Sequence, residues 1–214
     1  MTEQNVPILR TPVDMQSYAN ALALAWRSEL GALPTKEQMG VLWAQYGIET
    51  GAGSNAACWN NNLGNVKHVA GDGYDYIMLP GTWEMIGGKR VVFQPPSPAT
   101  WFRAYPSLAA GMQEHFRFLR SKRYAPAWPG VEAGDCTLFA TKLKAAGYFT
   151  ADATAYANGM LVHFRRWMAS DAYDNAIAAV DDHDEEQPPE LPANDFEIVH
   201  PAVDLEPPEP PEAA

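Results

Sequence analysis

The stretch Met39–Gly53, MGVLWAQYGIETGAG, decides the fold of this chain. Its apolar residues leave no polar stripe wide enough to face water, so it predicts a helix that is buried on most sides. Glu49 closes that helix just before a glycine-rich turn, on the same face as Gln45. Burial and the negative end of the helix dipole both raise the pKa of a carboxyl group placed there. Glu49 is therefore a candidate general acid, and the alternative is a solvated glutamate without a catalytic role.

Capping residues predict where the other helices begin. Thr35 and Gln38 form a capping box that starts the helix ending in Glu49. The remaining predicted helices run from Asp14 to about Leu30, from Ser107 to Arg120, from Asp135 to Gly147, and from near Thr154 to Val180 with a break near Ser170. The sequence therefore predicts a mainly helical domain.

The strongest strand signal lies in residues 74–93. Residues 83–86, Trp-Glu-Met-Ile, and residues 89–93, Lys-Arg-Val-Val-Phe, flank Gly87-Gly88, which predicts a β-hairpin with Glu84 on one of its strands. Residues 58–67 contain four asparagines and one glycine, a composition typical of tight turns rather than of regular structure.

The acidic residues are concentrated at one end of the chain. From Asp181 onward there are 12 of the 26 acidic residues, eight prolines and no lysine or arginine. Residues 1–180 are nearly neutral, and their lack of a basic stripe argues against nucleic acid as a partner. We therefore expect an extended arm at 1–13, one folded domain at 14–180, and an acidic Pro-rich tail at 181–214 that is disordered or bound to a partner.

Four motifs in order resemble one family. They are QYGIETGAG at 45–53, NNLGNVK at 61–67, FRAYPS at 102–107 and AGYFT at 146–150. Together they resemble the bacterial glucosaminidase domains that hydrolyse peptidoglycan, as in flagellar cell-wall hydrolases, autolysins and phage endolysins. The resemblance covers roughly residues 15–170. It departs from the family at Leu63-Gly64-Asn65, where the family commonly has a phenylalanine.

The resemblance implies a fold class and three catalytic residues. The fold would be mainly α (α+β), a lysozyme-like helical domain with a small β-hairpin lobe and an extended acidic tail. The family's general acid falls on Glu49, and its hairpin carboxylate best fits Glu84, with Asp75 as the other candidate. The tyrosine of the family's Ala-Gly-Tyr motif falls on Tyr148.

A glycan groove needs aromatic faces for sugar rings and amides for acetamido groups. The candidates for substrate binding are Trp59, Asn62, Asn65, Trp83 and Tyr105. For the aromatic residues the alternative is core packing, and for the asparagines it is shaping the loop.

The implied reaction is cleavage of peptidoglycan glycan strands by an N-acetylglucosaminidase-type glycoside hydrolase. A muramidase, a lytic transglycosylase and an inactive glycan-binding module of a phage or contractile injection particle are the alternatives. We expect no cofactor and no metal, because no cysteine or histidine cluster has zinc-ligand spacing and no nucleotide-binding glycine motif occurs.

The ends of the chain suggest how it reaches its substrate. No apolar run is long enough to span a bilayer, and MTEQNVPILRTPVDM lacks the apolar core of a Sec signal peptide. We therefore expect synthesis in the cytoplasm and action on the cell wall after phage-, secretion- or particle-mediated delivery, with the acidic tail binding a delivery partner. Without a signal peptide, Cys58 and Cys136 are expected to be two buried thiols rather than a disulfide.

Overall fold

The computed structural model describes residues 3–51, 58–86 and 89–185, with the backbone alone at 83–86, 99 and 181–185. Within these residues there are seven α-helices and four short strands. In chain order they are α1 (Met15–Leu30), α2 (Lys36–Thr50), β1 (Asp75–Met78), β2 (Trp83–Ile86), β3 (Lys89–Val92), β4 (Trp101–Ala104), α3 (Leu108–Arg120), α4 (Trp128–Glu132), α5 (Cys136–Ala145), α6 (Ala153–Met168) and α7 (Ala172–Glu185).

The helix α2 is the centre of the domain, as its sequence predicts. Every residue from Met39 to Gly47 is buried, and the predicted capping box of Thr35 and Gln38 forms. The helix α6 packs along α2 at short range, since a Cβ at Gly159 would lie 2.4 Å from Ile48 Cδ1. This close packing brings α6 beside the last turn of α2.

The caps of the other helices follow the predictions. Asp14, Ser107 and Asp135 accept hydrogen bonds from the first turns of α1, α3 and α5. The predicted break near Ser170 separates α6 from α7, which extends to Glu185 rather than ending at Val180. The short helix α4 was not predicted, because its five residues give too little periodicity to detect.

The strands form two separate antiparallel pairs. The predicted hairpin is present as β2 and β3, with Glu84 opposite Val91, while its Gly87-Gly88 turn lies outside the described residues. The second pair joins β1 to β4, with Ile77 opposite Phe102. This pair was not predicted, because its two strands lie more than 20 residues apart with no turn signal to link them.

The N-terminal arm lies against the β lobe, which we define as residues 58–105. Val6 N–H donates to Tyr76 O, and Tyr76 N–H donates to Gln4 O, so the arm pairs with the edge of β1. Further along, Thr11 N–H donates to Cys58 O at 3.0 Å. The predicted extended arm is thus held to the domain by backbone hydrogen bonds.

The predicted fold class, mainly α with a small β lobe, is confirmed. Cys58 and Cys136 are both free and buried, as expected, and burial raises the pKa of each thiol to about 12. No helix among the described residues has the length and apolarity needed to cross a membrane. The predicted tail from residue 186 onward lies outside the described residues, so its state and its partner stay predictions.

Candidate active site

Glu49 lies at the end of α2, where its side chain is half-buried. The helix stops two residues later because Gly51 adopts a left-handed conformation with φ of 86°. Glu49 Oε1 accepts a hydrogen bond of 2.7 Å from the Tyr156 hydroxyl. Burial raises the pKa of the Glu49 carboxyl, and the hydrogen bond from Tyr156 lowers it by a smaller amount. The net shift favours a protonated acid at higher pH than for a solvated glutamate.

Tyr156 is held in place by α6 and by an aromatic neighbour. Its ring is buried and stacks on Phe149, with ring centroids 3.8 Å apart and planes 5° apart. Burial raises the pKa of the Tyr156 hydroxyl, and the adjacent Glu49 carboxylate raises it further. Tyr156 therefore stays a neutral hydrogen-bond donor to Glu49.

A buried chain of hydrogen bonds lies beside Glu49, one turn back along α2. Gln45 is fully buried, and its amide Nε2 donates to the Tyr148 hydroxyl at 2.8 Å. Its Oε1 lies 3.1 Å from His115 Nε2. Because burial lowers the pKa of His115 to about 4, this ring is neutral and donates from Nε2 to Gln45. His115, Gln45 and Tyr148 therefore form one oriented chain of hydrogen bonds.

The amide-rich loop closes over this chain of hydrogen bonds. Asn60, Asn61 and Asn65 have positive φ values, as expected for a loop of tight turns. Asn65 Nδ2 donates to the backbone O of Glu49 at 3.4 Å. A Cβ at Gly64 would lie 2.4 Å from His115 Nδ1, so only glycine lets the loop approach so closely. The loop thus reaches the end of α2, where Glu49 lies.

The side chain of Asn62 makes three hydrogen bonds within the described part of the chain. It is buried, and its Nδ2 donates to Val66 O and Arg103 O while its Oδ1 accepts from Val66 N–H. The bond to Arg103 ties the loop to β4, the two bonds to Val66 hold the loop's own turn, and all three favour the loop-shaping alternative for Asn62. The substrate-binding role of Asn65, which lies beside Glu49, stays a prediction.

Replacing Asn62 by alanine is expected to lower the free energy of unfolding by about 2–4 kcal/mol, since buried backbone groups lose their partners. Urea denaturation followed by circular dichroism measures this loss. Asn175→Ala is the control, because Asn175 is exposed on α7 and should change the stability by less than about 0.5 kcal/mol. Equal stabilities for the two variants would contradict this account of the loop.

The other predicted site residues lie in or beside the β lobe. Trp59 packs on Ile77, Phe102 and Ala104, and Tyr105 is buried edge-on to Tyr74 at 5.6 Å. These contacts favour the core-packing alternative for both aromatic residues. The side chains of Trp83 and Glu84 lie outside the described atoms, and their backbone lies in β2. The exposed Asp75 accepts from Gln4 N–H, so its carboxylate holds the N-terminal arm.

Comparison with known families decides which class of protein this is. Residues 36–180 match the glucosaminidase family model, described as mannosyl-glycoprotein endo-beta-N-acetylglucosaminidase. The match starts at the first residue of α2 and covers more than half of the chain. The chain belongs to the glucosaminidase family. It is therefore a glycosidase.

Solved structures similar to this glucosaminidase come from two bacteria. A peptidoglycan hydrolase mutant from Sphingomonas sp. A1 is 23% identical, with a TM-score of 0.50 over 77% of this chain and 99% of that one. The glycoside hydrolase domain of FlgJ from Salmonella typhimurium is 20% identical, with a TM-score of 0.46 over 80% of this chain and 99% of that one. No curated protein sequence matches the chain significantly. The Sphingomonas structure supports the lysozyme-like fold predicted for the glucosaminidase.

Two residues next to Glu49 were not among the predicted site residues. Tyr156 reads in the sequence as one of several apolar positions on α6, and no local signal separates it from its neighbours. Gln45 shares a helix face with Glu49, but its role depends on His115 and Tyr148, which are distant in sequence. Only the packing of α6 and α3 around α2 brings these side chains together.

With Glu49 as the predicted general acid of this glucosaminidase, Tyr156→Phe is expected to shift the alkaline limb of the kcat/KM profile to higher pH. In the wild type the hydrogen bond from Tyr156 lowers the pKa of Glu49. Without that bond the pKa of Glu49 rises, so its carboxyl group stays protonated to a higher pH. Poorer placement of Glu49 should also reduce kcat/KM at the optimum by about 3- to 30-fold. Initial rates of glycan cleavage across pH measure both effects.

Tyr148→Phe is the matched variant for this test, because it removes a hydroxyl bonded to Gln45 and leaves the Tyr156–Glu49 bond in place. It should leave the alkaline limb close to that of the wild type. A shift with Tyr148→Phe and none with Tyr156→Phe would show that Tyr148 is the tyrosine that acts on the acid.

Proposed function

We propose that this glucosaminidase hydrolyses the glycan strands of bacterial peptidoglycan, with Glu49 as the general acid. The observation that carries the proposal is the Glu49 carboxyl at the buried end of α2, bonded to Tyr156, with burial raising its pKa. A carboxyl group with a raised pKa keeps its proton to higher pH and can donate it to the leaving glycosidic oxygen.

The second half of the reaction needs relief of positive charge at the sugar carbon. Glu84 on β2 is the proposed carboxylate, either activating water or stabilising the cation. Asp75 is the weaker candidate, because its carboxylate already holds the backbone of Gln4. The acetamido oxygen of the substrate is a third possible nucleophile, in which case Glu84 orients that group.

Peptidoglycan is the proposed substrate because its strands contain N-acetylglucosamine in β-linkage, the bond type of the family description. The fold similarity to a protein described as a peptidoglycan hydrolase supports the same substrate class. The near-neutral charge of residues 1–180 places no excess of negative charge on the folded part to repel an anionic wall.

Analysis of the released fragments by mass spectrometry tests the proposal. Purified protein incubated with peptidoglycan should release fragments with reducing N-acetylglucosamine ends. Reducing N-acetylmuramic acid ends would instead indicate a muramidase, and anhydromuramic ends a lytic transglycosylase. Wall binding without any released fragment would favour the inactive glycan-binding module.

A further inference from the structure

A histidine and two carboxylates form a separate cluster where the N-terminal arm meets the β lobe. Glu3 lies on the arm, and His68 and Asp72 lie in the segment that precedes β1. One oxygen of each carboxylate and one nitrogen of His68 all lie within 4.8 Å of one another. The proposed glycosidase chemistry uses none of these three residues.

The cluster is sheltered from solvent. The side chain of His68 is 2% exposed, and those of Asp72 and Glu3 are 6% and 18% exposed. His68 lies in an aromatic setting, 4.5 Å from the ring centroid of Tyr76. Neither ring nitrogen of His68 has a hydrogen-bond partner of good geometry among the described residues. Burying an imidazole without hydrogen-bond partners costs free energy of folding, so the site favours a ligand for His68.

The two distances from His68 to the carboxylates are close to those between ligands of one metal ion. His68 Nε2 lies 3.2 Å from Glu3 Oε2 and 3.5 Å from Asp72 Oδ1. Ligands about 2.1 Å from a shared cation lie about 3.0–3.4 Å from each other in octahedral or tetrahedral geometry. In such a site the lone pair of the ring nitrogen points at the cation rather than at a carboxylate oxygen. We propose that Glu3, His68 and Asp72 bind one divalent transition-metal cation.

Hydrogen bonds from neighbouring residues orient the carboxylates of Glu3 and Asp72 for binding a cation. Asp72 Oδ2 accepts from Arg103 Nε at 2.8 Å and from Val69 N–H at 3.0 Å. Its Oδ1 accepts from Tyr74 N–H at 3.1 Å and also faces His68 Nε2 at 3.5 Å. Gly71 and Gly73 donate backbone N–H groups to Glu3, and each oxygen of the Glu3 carboxylate keeps a second lone pair. Hydrogen bonds of this kind commonly hold metal-binding carboxylates in place.

The type of ligands sets the class of cation. One imidazole nitrogen and two carboxylate oxygens suit Zn²⁺ or Mn²⁺, whereas Ca²⁺ and Mg²⁺ prefer oxygen ligands alone. Because Glu3 is on the arm and His68 and Asp72 are on the β lobe, the cation joins these two parts of the chain. Its expected effect is on stability rather than on the chemical step at Glu49.

Isothermal titration of the EDTA-treated full-length protein with ZnCl₂ tests the site. We expect saturable binding of one Zn²⁺ per chain, and a Tm raised by about 4 °C or more at a Zn²⁺ concentration near 100 times the Kd. Glu3→Gln and His68→Gln should each weaken binding at least tenfold and abolish the Tm shift. Glu3→Gln keeps the test valid if His68→Gln fails to fold.

The control is the double variant His183→Gln/His200→Gln, which removes the two histidines of the acidic C-terminal segment. It should bind Zn²⁺ with the same affinity at the arm site. Zn²⁺ binding that disappears in this control, or that persists unchanged in Glu3→Gln and His68→Gln, would overturn the proposal. Absence of binding in the wild type would leave the cluster as an ion-pair network that only fixes the arm.

Discussion

Glu49→Gln is expected to lower kcat/KM for peptidoglycan by about 100- to 10,000-fold, because glutamine has no proton to give to the leaving oxygen. The substitution keeps the size of the side chain, and its carbonyl oxygen can still accept from the Tyr156 hydroxyl. The loss should therefore be chemical rather than structural. Turbidity of cell-wall suspensions and release of reducing ends measure the rates.

Glu132→Gln is the control for this experiment, since it removes the same charge from an exposed position on α4. It should retain the activity of the wild type. If Glu49→Gln clears walls as fast as Glu132→Gln does, Glu49 is not the general acid.

The same variant has a second expected effect, on stability. Because the folded state raises the pKa of Glu49, the wild type loses stability as pH rises from the unfolded value of about 4.5 through the folded value. Glutamine does not titrate, so Glu49→Gln should gain stability relative to the wild type over that pH range. A less active but more stable variant is the pattern expected when burial serves catalysis.

Trp167→Ala is expected to produce the largest loss of stability, about 3–5 kcal/mol. Trp167 is fully buried on α6, its Nε1–H donates to Lys36 O at 2.8 Å, and its ring lies 6.2 Å from that of Trp43. The truncation leaves a cavity between α6 and α2 and removes the hydrogen bond from Trp167 to the carbonyl of Lys36 at the start of α2. The Tm should fall by about 6–20 °C.

Leu24→Ala is the control for Trp167→Ala, because Leu24 is 45% exposed on α1. Its stability should stay within about 0.5 kcal/mol of the wild type. Urea denaturation at several wavelengths compares the two variants. A loss below about 1 kcal/mol for Trp167→Ala would show that the α2–α6 contact contributes little to the fold.

The parts of the fold that depend on neighbouring residues could be predicted from the sequence. Asp14, Thr35 and Ser107 cap helices because their side chains bond to N–H groups two or three residues away, and such signals are local. The burial of α2 and the raised pKa of Glu49 followed from the apolar residues around them. The β2–β3 hairpin followed from its β-branched and aromatic residues and its glycine turn.

The parts that were missed depend on contacts between distant residues. The β1–β4 pair has no short turn, and the Tyr156–Glu49 bond joins residues 107 positions apart. In the sequence Tyr148 fits a family motif, but in the structure its hydroxyl bonds to Gln45, and the hydroxyl of Tyr156 bonds to Glu49. Spacing along the chain cannot distinguish two tyrosines whose roles differ only through packing.

The division of the β lobe into two separate sheets has a consequence for the strand that carries Glu84. Among the described strands, β2 pairs only with β3, and β1 pairs only with β4. The backbone that carries Glu84 can therefore tilt without breaking any pairing between β1 and β4. A tilt of β2 and β3 together would leave the register of Ile77 opposite Phe102 unchanged.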